Sequence, residues 1–162
     1  IFADELPPRI SDDPTWYQCK FCDFAEVCHT PKLPEATCRS CIYAKAENDG
    51  NARWTCQLKD QDLTYDDQLE ACENHTYDPM FMARWGKMTE TSDKDGWIEY
   101  TMPDGRKFRN GFRSLHVFSS SELHAFTPDL VDNPLVKKLR QEFGAVIEAV
   151  KDDEFFNDQI PF

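Results

Sequence analysis

All seven cysteines of the 162-residue chain lie before residue 73, and their spacing constrains the fold more than any other feature. The first group is Cys19-x2-Cys22-x5-Cys28, with His29 directly after it. The second group follows in one run: Cys38-x2-Cys41-x14-Cys56-x15-Cys72-x2-His75. An odd number of cysteines argues against a fully paired disulfide framework. Two Cys-x2-Cys pairs without a recognisable secretion signal instead favour metal ligation in a reducing cytosol.

The second group is a complete ligand set for tetrahedral structural zinc. Such a site needs four thiolate or imidazole ligands, and a Cys-x2-Cys turn lets two thiolates converge on one ion. Cys38, Cys41, Cys56 and Cys72 supply these four in a spacing that predicts a zinc-ribbon-like site. His75 is an alternative to Cys72 at small geometric cost.

The first group is one ligand short. Cys19, Cys22 and Cys28 supply three ligands, and the spacing leaves the fourth open between His29, His75 and a cysteine upstream of residue 1. His29 is strained in this role, because consecutive side chains usually diverge. Seven cysteines and one histidine make the eight ligands that two closed four-coordinate sites require, which favours two zinc ions.

Because all the cysteines lie in the first half of the chain, the sequence predicts two modules in an α+β fold. A small zinc-ribbon-like, metal-stabilised module is followed by a β-hairpin plus helix module. The predicted segments are an extended linker at 1–16, the cysteine-rich module at 17–80, a polar linker at 81–96, the hairpin–helix module at 97–150 and an acidic tail at 151–162.

The second half contains the clearest local signals. WIEYTMPDGRKFRNG predicts a strand, a Pro-Asp-Gly turn and a second strand, with Asn110-Gly111 as another turn. Ser119 and Glu122 predict a capping box that opens a short helix. Asn133 and Pro134 predict the start of a longer helix. Its predicted apolar stripe faces the core and consists of Leu135, Leu139, Phe143, Val146, Ile147 and Val150.

Charge limits the function classes that are open to the chain. The formal net charge is −12, from 30 acidic and 18 basic residues, so general binding of duplex DNA by this chain alone is disfavoured. A local basic patch at Arg106, Lys107, Arg109 and Arg113 is the exception to consider, although a solvated hairpin is the favoured interpretation. No apolar run approaches the ~18 residues of a membrane span, and we expect a cytoplasmic location without membrane contact.

The stretch PRISDDPTWYQCKFCDFAEVCH, followed by CRSC, RWTC and ACENH, resembles the region after the catalytic core in phage and prophage PD-(D/E)XK nucleases. Its cysteine trio also resembles the one that closes the nuclease domain of RecB-like iron–sulfur nucleases. There the trio joins one upstream cysteine to hold a four-iron cluster, so the resemblance implies an iron–sulfur cluster at Cys19, Cys22 and Cys28 as the alternative to zinc. The family's catalytic Asp and Glu-x-Lys signature has no counterpart here. We therefore expect no DNA cleavage by this chain alone, and contact with DNA only through a parent nuclease domain.

The last residues, DDEFFNDQIPF, resemble the acidic C-terminal tip of bacterial single-stranded-DNA-binding proteins. Ile160, Pro161 and Phe162 match the ending of that tip, and Asp158 belongs to the acidic run before it. The resemblance implies binding to host proteins that recognise such tips, with Phe162 in an apolar pocket and the acidic run facing a basic rim. The competing interpretation is a tail whose phenylalanines pack on the preceding helix.

Two functions from different classes follow from these observations. The first is a non-catalytic zinc-binding C-terminal module of a phage-type DNA-processing nuclease, whose tail recruits host replication or repair proteins in the bacterial cytoplasm. The alternative is an acidic phage inhibitor or decoy that binds a host DNA-processing protein. An independent enzyme with an open zinc site is a third and weaker option.

Overall fold

The structure is a computed structural model, and it describes residues 8–143. Six α-helices lie in this range: α1 (Tyr17–Lys20), α2 (Ala25–His29), α3 (Tyr65–Leu69), α4 (Pro79–Met82), α5 (Ser120–Ala125) and α6 (Pro134–Phe143). Six strands in the same range form two antiparallel sheets: β1 (Ala44–Ala46), β2 (Trp54–Cys56) and β3 (Gln61–Leu63), then β4 (Lys87–Ser92), β5 (Trp97–Thr101) and β6 (Lys107–Gly111). The predicted mixture of helices and antiparallel strands is confirmed at this coarse level. The predicted tail at 151–162, with Asp158, Ile160, Pro161 and Phe162, lies outside the described residues.

The first sheet is small and carries part of the second cysteine group. Its strands have three residues each and lie in the order β1-β2-β3, with Ala44 opposite Cys56 and Trp54 opposite Leu63. Cys56 and Leu63 are its buried residues. So little apolar burial does not stabilise a sheet by itself, and its stability depends on what surrounds it.

The second sheet has one strand more than the predicted hairpin. β5 and β6 correspond to the two predicted strands, with Tyr100 opposite Phe108. The additional strand β4 lies within 81–96, which the polar composition predicts as a linker, so that stretch is structured and the prediction of a bare hairpin is wrong. β4 is an edge strand, and five of its six residues are exposed. Its sequence therefore does not alternate between exposed polar residues and apolar residues that face a core. The boundary between the two predicted modules stays a prediction.

The pair Asn110-Gly111 lies in β6, and the predicted turn there is wrong. Asn110 is fully buried, and its amide is satisfied on both sides. Its Oδ1 accepts from the N–H of Tyr77 (2.8 Å), and its Nδ2 donates to the carbonyl of Phe118 (3.2 Å) and to Ser120 Oγ (3.1 Å). These distant partners override the turn preference of Asn-Gly, because a buried amide left unpaired would cost about 1–3 kcal/mol.

One apolar core cluster of thirteen buried residues underlies the fold. Eleven of them lie between Met82 and Val136, and Leu33 and Tyr77 come from the cysteine-rich part of the chain. Aromatic rings fill its centre: those of Tyr100 and Phe108 stack with centroids 5.4 Å apart. The described part of the chain thus has one shared core, and most of it lies beneath the second sheet.

A short segment, 30–36, ties the cysteine-rich part to this core. Leu33 is 1% exposed. Trp85 Nε1 donates to the carbonyl of Pro31 (2.5 Å), and the Tyr77 hydroxyl donates to that of Pro34 (2.6 Å). His124 Nδ1 lies 3.2 Å from the carbonyl oxygens of Leu33 and Pro34. This segment therefore packs on the apolar core cluster and on α5 through its own backbone as well as through one apolar side chain.

The predicted helix starts are confirmed. Ser119 caps α5 by accepting from the N–H of Glu122 (3.2 Å), and the Glu122 carboxylate accepts in return from the N–H of Ser119 (2.7 Å). Asn133 Oδ1 accepts from the N–H of Leu135 (2.8 Å), and Pro134 is the first residue of α6. No helix within residues 8–143 combines the length and apolar character needed to span a bilayer.

The buried face of α6 differs from the predicted stripe. Leu135 is 63% exposed, whereas Val136 is 8% and Arg140 is 3% exposed. Arg140 is buried because its guanidinium pairs with the Glu122 carboxylate and donates to the carbonyl of Val117 (3.0 Å). The prediction that Leu135 faces the core is therefore wrong. Among the described side chains of α6, that of the paired Arg140 is the most deeply buried.

Candidate metal centre

Backbone pairing brings together the two ends of the second cysteine group. Cys38 begins a 3-10 helix (Cys38–Ser40), and its N–H donates to the carbonyl of Glu70 (2.9 Å), two residues before Cys72. The N–H of Ile42 donates to the carbonyl of Thr76 (2.9 Å). The turn that contains Cys38 and Cys41 therefore lies beside the turn that contains Cys72 and His75.

The third part of this group comes from the first sheet. Cys56 is the last residue of β2, is 8% exposed, and lies opposite Ala44. The N–H of the next residue, Gln57, donates to the carbonyl of Tyr43 (2.8 Å), two residues after Cys41. The small sheet thereby carries Cys56 back towards the Cys38–Cys41 turn.

The four thiols of the second group also affect one another electrostatically. Burial is the main cause that raises the pKa of Cys38 to about 11, and the thiols of Cys41, Cys72 and Cys56 raise it further. Burial also raises the pKa of Cys41, whereas the backbone N–H groups of Thr76 and Tyr43, which hydrogen-bond its sulfur, lower it. Such N–H donors stabilise a thiolate, the form in which cysteine binds a metal ion.

The neighbouring thiols do not form a closed coordination shell. Among residues 8–143, no three Cys, His, Asp or Glu side chains stand in the close arrangement of a metal-binding group. Neutral thiols have no strong mutual attraction, whereas Zn²⁺ draws thiolates to about 2.3 Å. The fold therefore brings the four thiols close enough to affect one another's pKa, and the zinc-ribbon-like site stays a prediction.

His75 has the hydrogen-bonding pattern of a metal ligand. Its ring is buried, and burial lowers its pKa, so the neutral imidazole is favoured. Nε2 lies 2.8 Å from the carbonyl oxygen of Thr37 and 3.2 Å from Ser40 Oγ, while Nδ1 is buried without a partner among the described residues. A ligating histidine usually donates one ring N–H to a carbonyl and binds metal through the other nitrogen. These contacts associate His75 with the second group.

The first cysteine group is held by two consecutive short helices. Cys19 lies in α1 and is 7% exposed, Cys28 lies in α2, and the exposed Cys22 lies in the turn between them. The N–H of Cys22 donates to the carbonyl of Cys19 (3.1 Å). Burial raises the pKa of Cys19, and the thiols of Cys28 and Cys22 raise it further. Cys19 therefore lies near both Cys22 and Cys28.

His29 is one of the candidates for the fourth ligand of the trio, and that role stays a prediction. Its Nε2 is buried and finds no hydrogen-bond partner within residues 8–143. A buried imidazole nitrogen left without a partner is costly unless something else binds it. The adjacency of Cys28 and His29 made this role strained on sequence grounds, whereas the burial of Nε2 now favours it.

The four basic residues of the candidate patch lie in and beside β6, and three of them pair with carboxylates. Glu99 is buried, and its carboxylate accepts from Lys107 Nζ (2.8 Å) and from Arg109 (3.1 Å). Arg106 pairs with Asp104 (2.7 Å). Arg113 is exposed. This arrangement is a set of ion pairs on a strand, and it offers no concentrated positive surface for duplex DNA.

Sequence reasoning missed the groups that support the cysteines. Thr37 and Ser40 contact His75, and the backbone of Tyr43 and Thr76 contacts Cys41. The one available signal was the position of Tyr43 two residues after a cysteine.

No family model, curated protein or solved structure compared with this chain gives a match.

Proposed function

We propose that residues 17–80 are a zinc-binding module that braces a non-catalytic part of a phage-type DNA-processing nuclease. The observation that carries the metal assignment is the proximity of Cys38 and Cys41, Cys56 and Cys72, which come from three chain segments paired by backbone hydrogen bonds. The N–H donors at the sulfur of Cys41 support it, as does the unpartnered Nδ1 of His75. Thiolate and neutral imidazole are the ligands that zinc prefers.

A structural role for the metal accounts for the small number of apolar core residues in this part of the chain. Two of the thirteen core residues come from this part of the chain, and neither lies in the first sheet. A structural zinc ion contributes about 10–16 kcal/mol to the folding of small domains. That contribution is large enough to replace the apolar burial that strands β1–β3 do not provide.

The trio is proposed as a second zinc site, completed by His29. An iron–sulfur cluster at Cys19, Cys22 and Cys28 is the alternative that the nuclease resemblance implies. The unpartnered, buried Nε2 of His29 favours zinc, because histidine is a common zinc ligand and iron–sulfur clusters mostly use cysteine.

The biological setting of the proposal rests on the sequence resemblances. The chain would act in the bacterial cytoplasm, contact DNA through a parent nuclease domain, and recruit host proteins that recognise the tips of single-stranded-DNA-binding proteins. The alternative function, an acidic inhibitor or decoy of a host DNA-processing protein, has the net charge of −12 in its favour. A nuclease core encoded in frame upstream favours the first function, and a standalone reading frame favours the second.

Elemental analysis of protein purified without added metal tests the metal assignment. We expect about two zinc ions per chain, because eight ligands fill two four-coordinate sites. Cys38→Ser and Cys22→Ser should each lower this content to about one, since they belong to different groups. Iron with labile sulfide would reassign the trio, and a folded protein that contains neither metal would exclude the proposal.

A further inference from the structure

An open cleft of about 580 Å³ lies beside the second cysteine group on the first sheet. Strands β2 and β3, the 3-10 helix and α3 line it, and the residues that matter here are Arg39, Arg53, Trp54, Leu63, Tyr65 and Gln68. Its charged lining residues are two arginines and one aspartate, Asp62, and Arg53 also pairs with Asp49, so arginines and carboxylates are equal in number there. The feature that suggests an anionic ligand with aromatic groups is therefore the combination of unused guanidinium donors and an exposed aromatic ring.

Arg53 is held in place and still has donors to spare. Its Nε donates to Asp49 (2.9 Å) and its Nη1 to Asp62 (3.0 Å). Asp49 also accepts from the N–H of Asn51 (2.9 Å), which fixes the turn before Arg53. No hydrogen bond within residues 8–143 uses Nη2. A guanidinium oriented in this way can donate to a phosphate oxygen without further ordering.

Arg39 is oriented from the opposite side of the cleft. Its Nη2 donates to Gln68 Oε1 (3.2 Å), and Gln68 is itself buried and anchored through Nε2 to the carbonyl of Leu63 (3.3 Å). The Arg39 guanidinium carbon lies 5.5 Å from the centroid of the Tyr65 ring. Its Nε and Nη1 have no hydrogen-bond partner in the part of the chain that the structure describes.

Apolar and aromatic surface completes the cleft. Tyr65 is 66% exposed, Trp54 is half-buried, and Leu63 is buried at the floor. Exposed aromatic faces next to oriented guanidinium groups are the combination on which unpaired bases stack while the backbone phosphates are neutralised. A duplex presents no free base faces, so this arrangement suits a single strand.

We propose that this cleft binds a short segment of single-stranded nucleic acid. Arg39 and Arg53 bind phosphate oxygens, and the rings of Tyr65 and Trp54 stack with one or two bases. The site goes beyond the proposed metal-binding function and does not depend on which metal the cysteines hold. It gives the chain a nucleic-acid contact of its own, in addition to any made by a parent nuclease domain.

Fluorescence anisotropy of the purified full chain with labelled oligothymidylate of about 12 nucleotides tests the site. Tyr65→Ala should weaken binding about tenfold, because one base loses its stacking partner. Arg53→Gln should also weaken binding about tenfold and should lower the slope of log K against log salt by about 0.7. The matched controls, Tyr17→Ala (Tyr17 is 62% exposed) and Arg113→Gln (Arg113 is also exposed), should stay within twofold of the unmodified protein.

The same titration contains the outcomes that would overturn the proposal. These are no binding by the unmodified protein at low salt, equal losses in cleft and control variants, and competition by duplex as strong as by single strand. Binding of an acidic peptide of residues 152–162 that Tyr65→Ala abolishes, without binding of oligothymidylate, would assign the cleft to a protein ligand instead. Because Tyr65 is mostly exposed, Tyr65→Ala decides the question even where Arg53→Gln impairs folding.

Discussion

The two sheets obtain their stability from different sources. Strands β5 and β6 contribute Ile98, Tyr100 and Phe108 to the apolar core cluster, whereas β1–β3 contribute none of its thirteen residues. In and around the first sheet the buried side chains are those of Cys56, Leu63 and His75 and the polar ones of Ser40, Gln68 and Thr76. The comparison teaches that a three-stranded sheet of this size needs a second source of stability, and clustered metal ligands are the candidate that its surroundings offer.

The largest expected effect comes from removing one thiolate of the second group. Cys56→Ser should destabilise the first sheet by about 3 kcal/mol, a quarter of the ~12 kcal/mol that four ligands of a structural zinc site provide. Amide hydrogen exchange should show loss of protection in β1–β3 and in α3, while β5 and β6 stay protected by their apolar core. Cys38→Ser should give the same pattern.

The control for this experiment is Cys22→Ser, which belongs to the trio. It should leave the protection of β1–β3 unchanged, because its thiol interacts with Cys19 and the first group. If all three variants lost protection in both sheets together, the contrast between the two regions would be wrong, and the shared core through Leu33 and Tyr77 would make them one cooperative unit.

An effect of similar size should come from the ion pair in the second region. Arg140→Met removes the guanidinium that neutralises Glu122, and both side chains are 3% exposed. A carboxylate left buried and unpaired costs about 3 kcal/mol, which urea denaturation would detect as a lower midpoint. The matched change on the same helix, Lys138→Met, breaks an exposed pair with Glu142 (3.7 Å) and should cost less than about 0.5 kcal/mol. Equal midpoints for the two variants would show that Arg140 does not stabilise the second region.

The smallest effect should come from the contact that joins the two regions. Tyr77→Phe removes the hydroxyl that donates to Pro34 (2.6 Å) and should cost about 1 kcal/mol. Tyr100→Phe is a close control, because Tyr100 is equally buried and its hydroxyl has no partner among residues 8–143. We expect Tyr100→Phe to be neutral or slightly stabilising in the same urea titration. Indistinguishable midpoints would mean that the 30–36 segment is held by Leu33 and Trp85 rather than by this hydrogen bond.

The features that could be predicted from the sequence are those decided by residues close together in the chain. The starts of α5 and α6 depend on side chains that cap N–H groups two or three residues away, as Ser119 and Asn133 do. The division of the cysteines into a trio and a quartet also follows the chain, because each Cys-x2-Cys turn is local. Within the described residues Cys19 lies near Cys22 and Cys28, and Cys38 lies near Cys41, Cys56 and Cys72, while the ligand roles of both groups stay predictions.

The remaining features depend on partners far away in the chain, and only the tertiary structure decided them. Asn110 became a buried residue of β6 because Tyr77, 33 residues earlier, donates to its amide. Arg140 became buried in preference to Leu135 because Glu122, 18 residues earlier, pairs with it. A polar strand such as β4 is stabilised by its backbone pairing with β5, which composition does not record. The sequence by itself determined the helix caps, which depend on residues close together in the chain. Long-range hydrogen bonds and charge pairs determined which polar residues the core accepts, because burying a polar group costs little only where a partner is available.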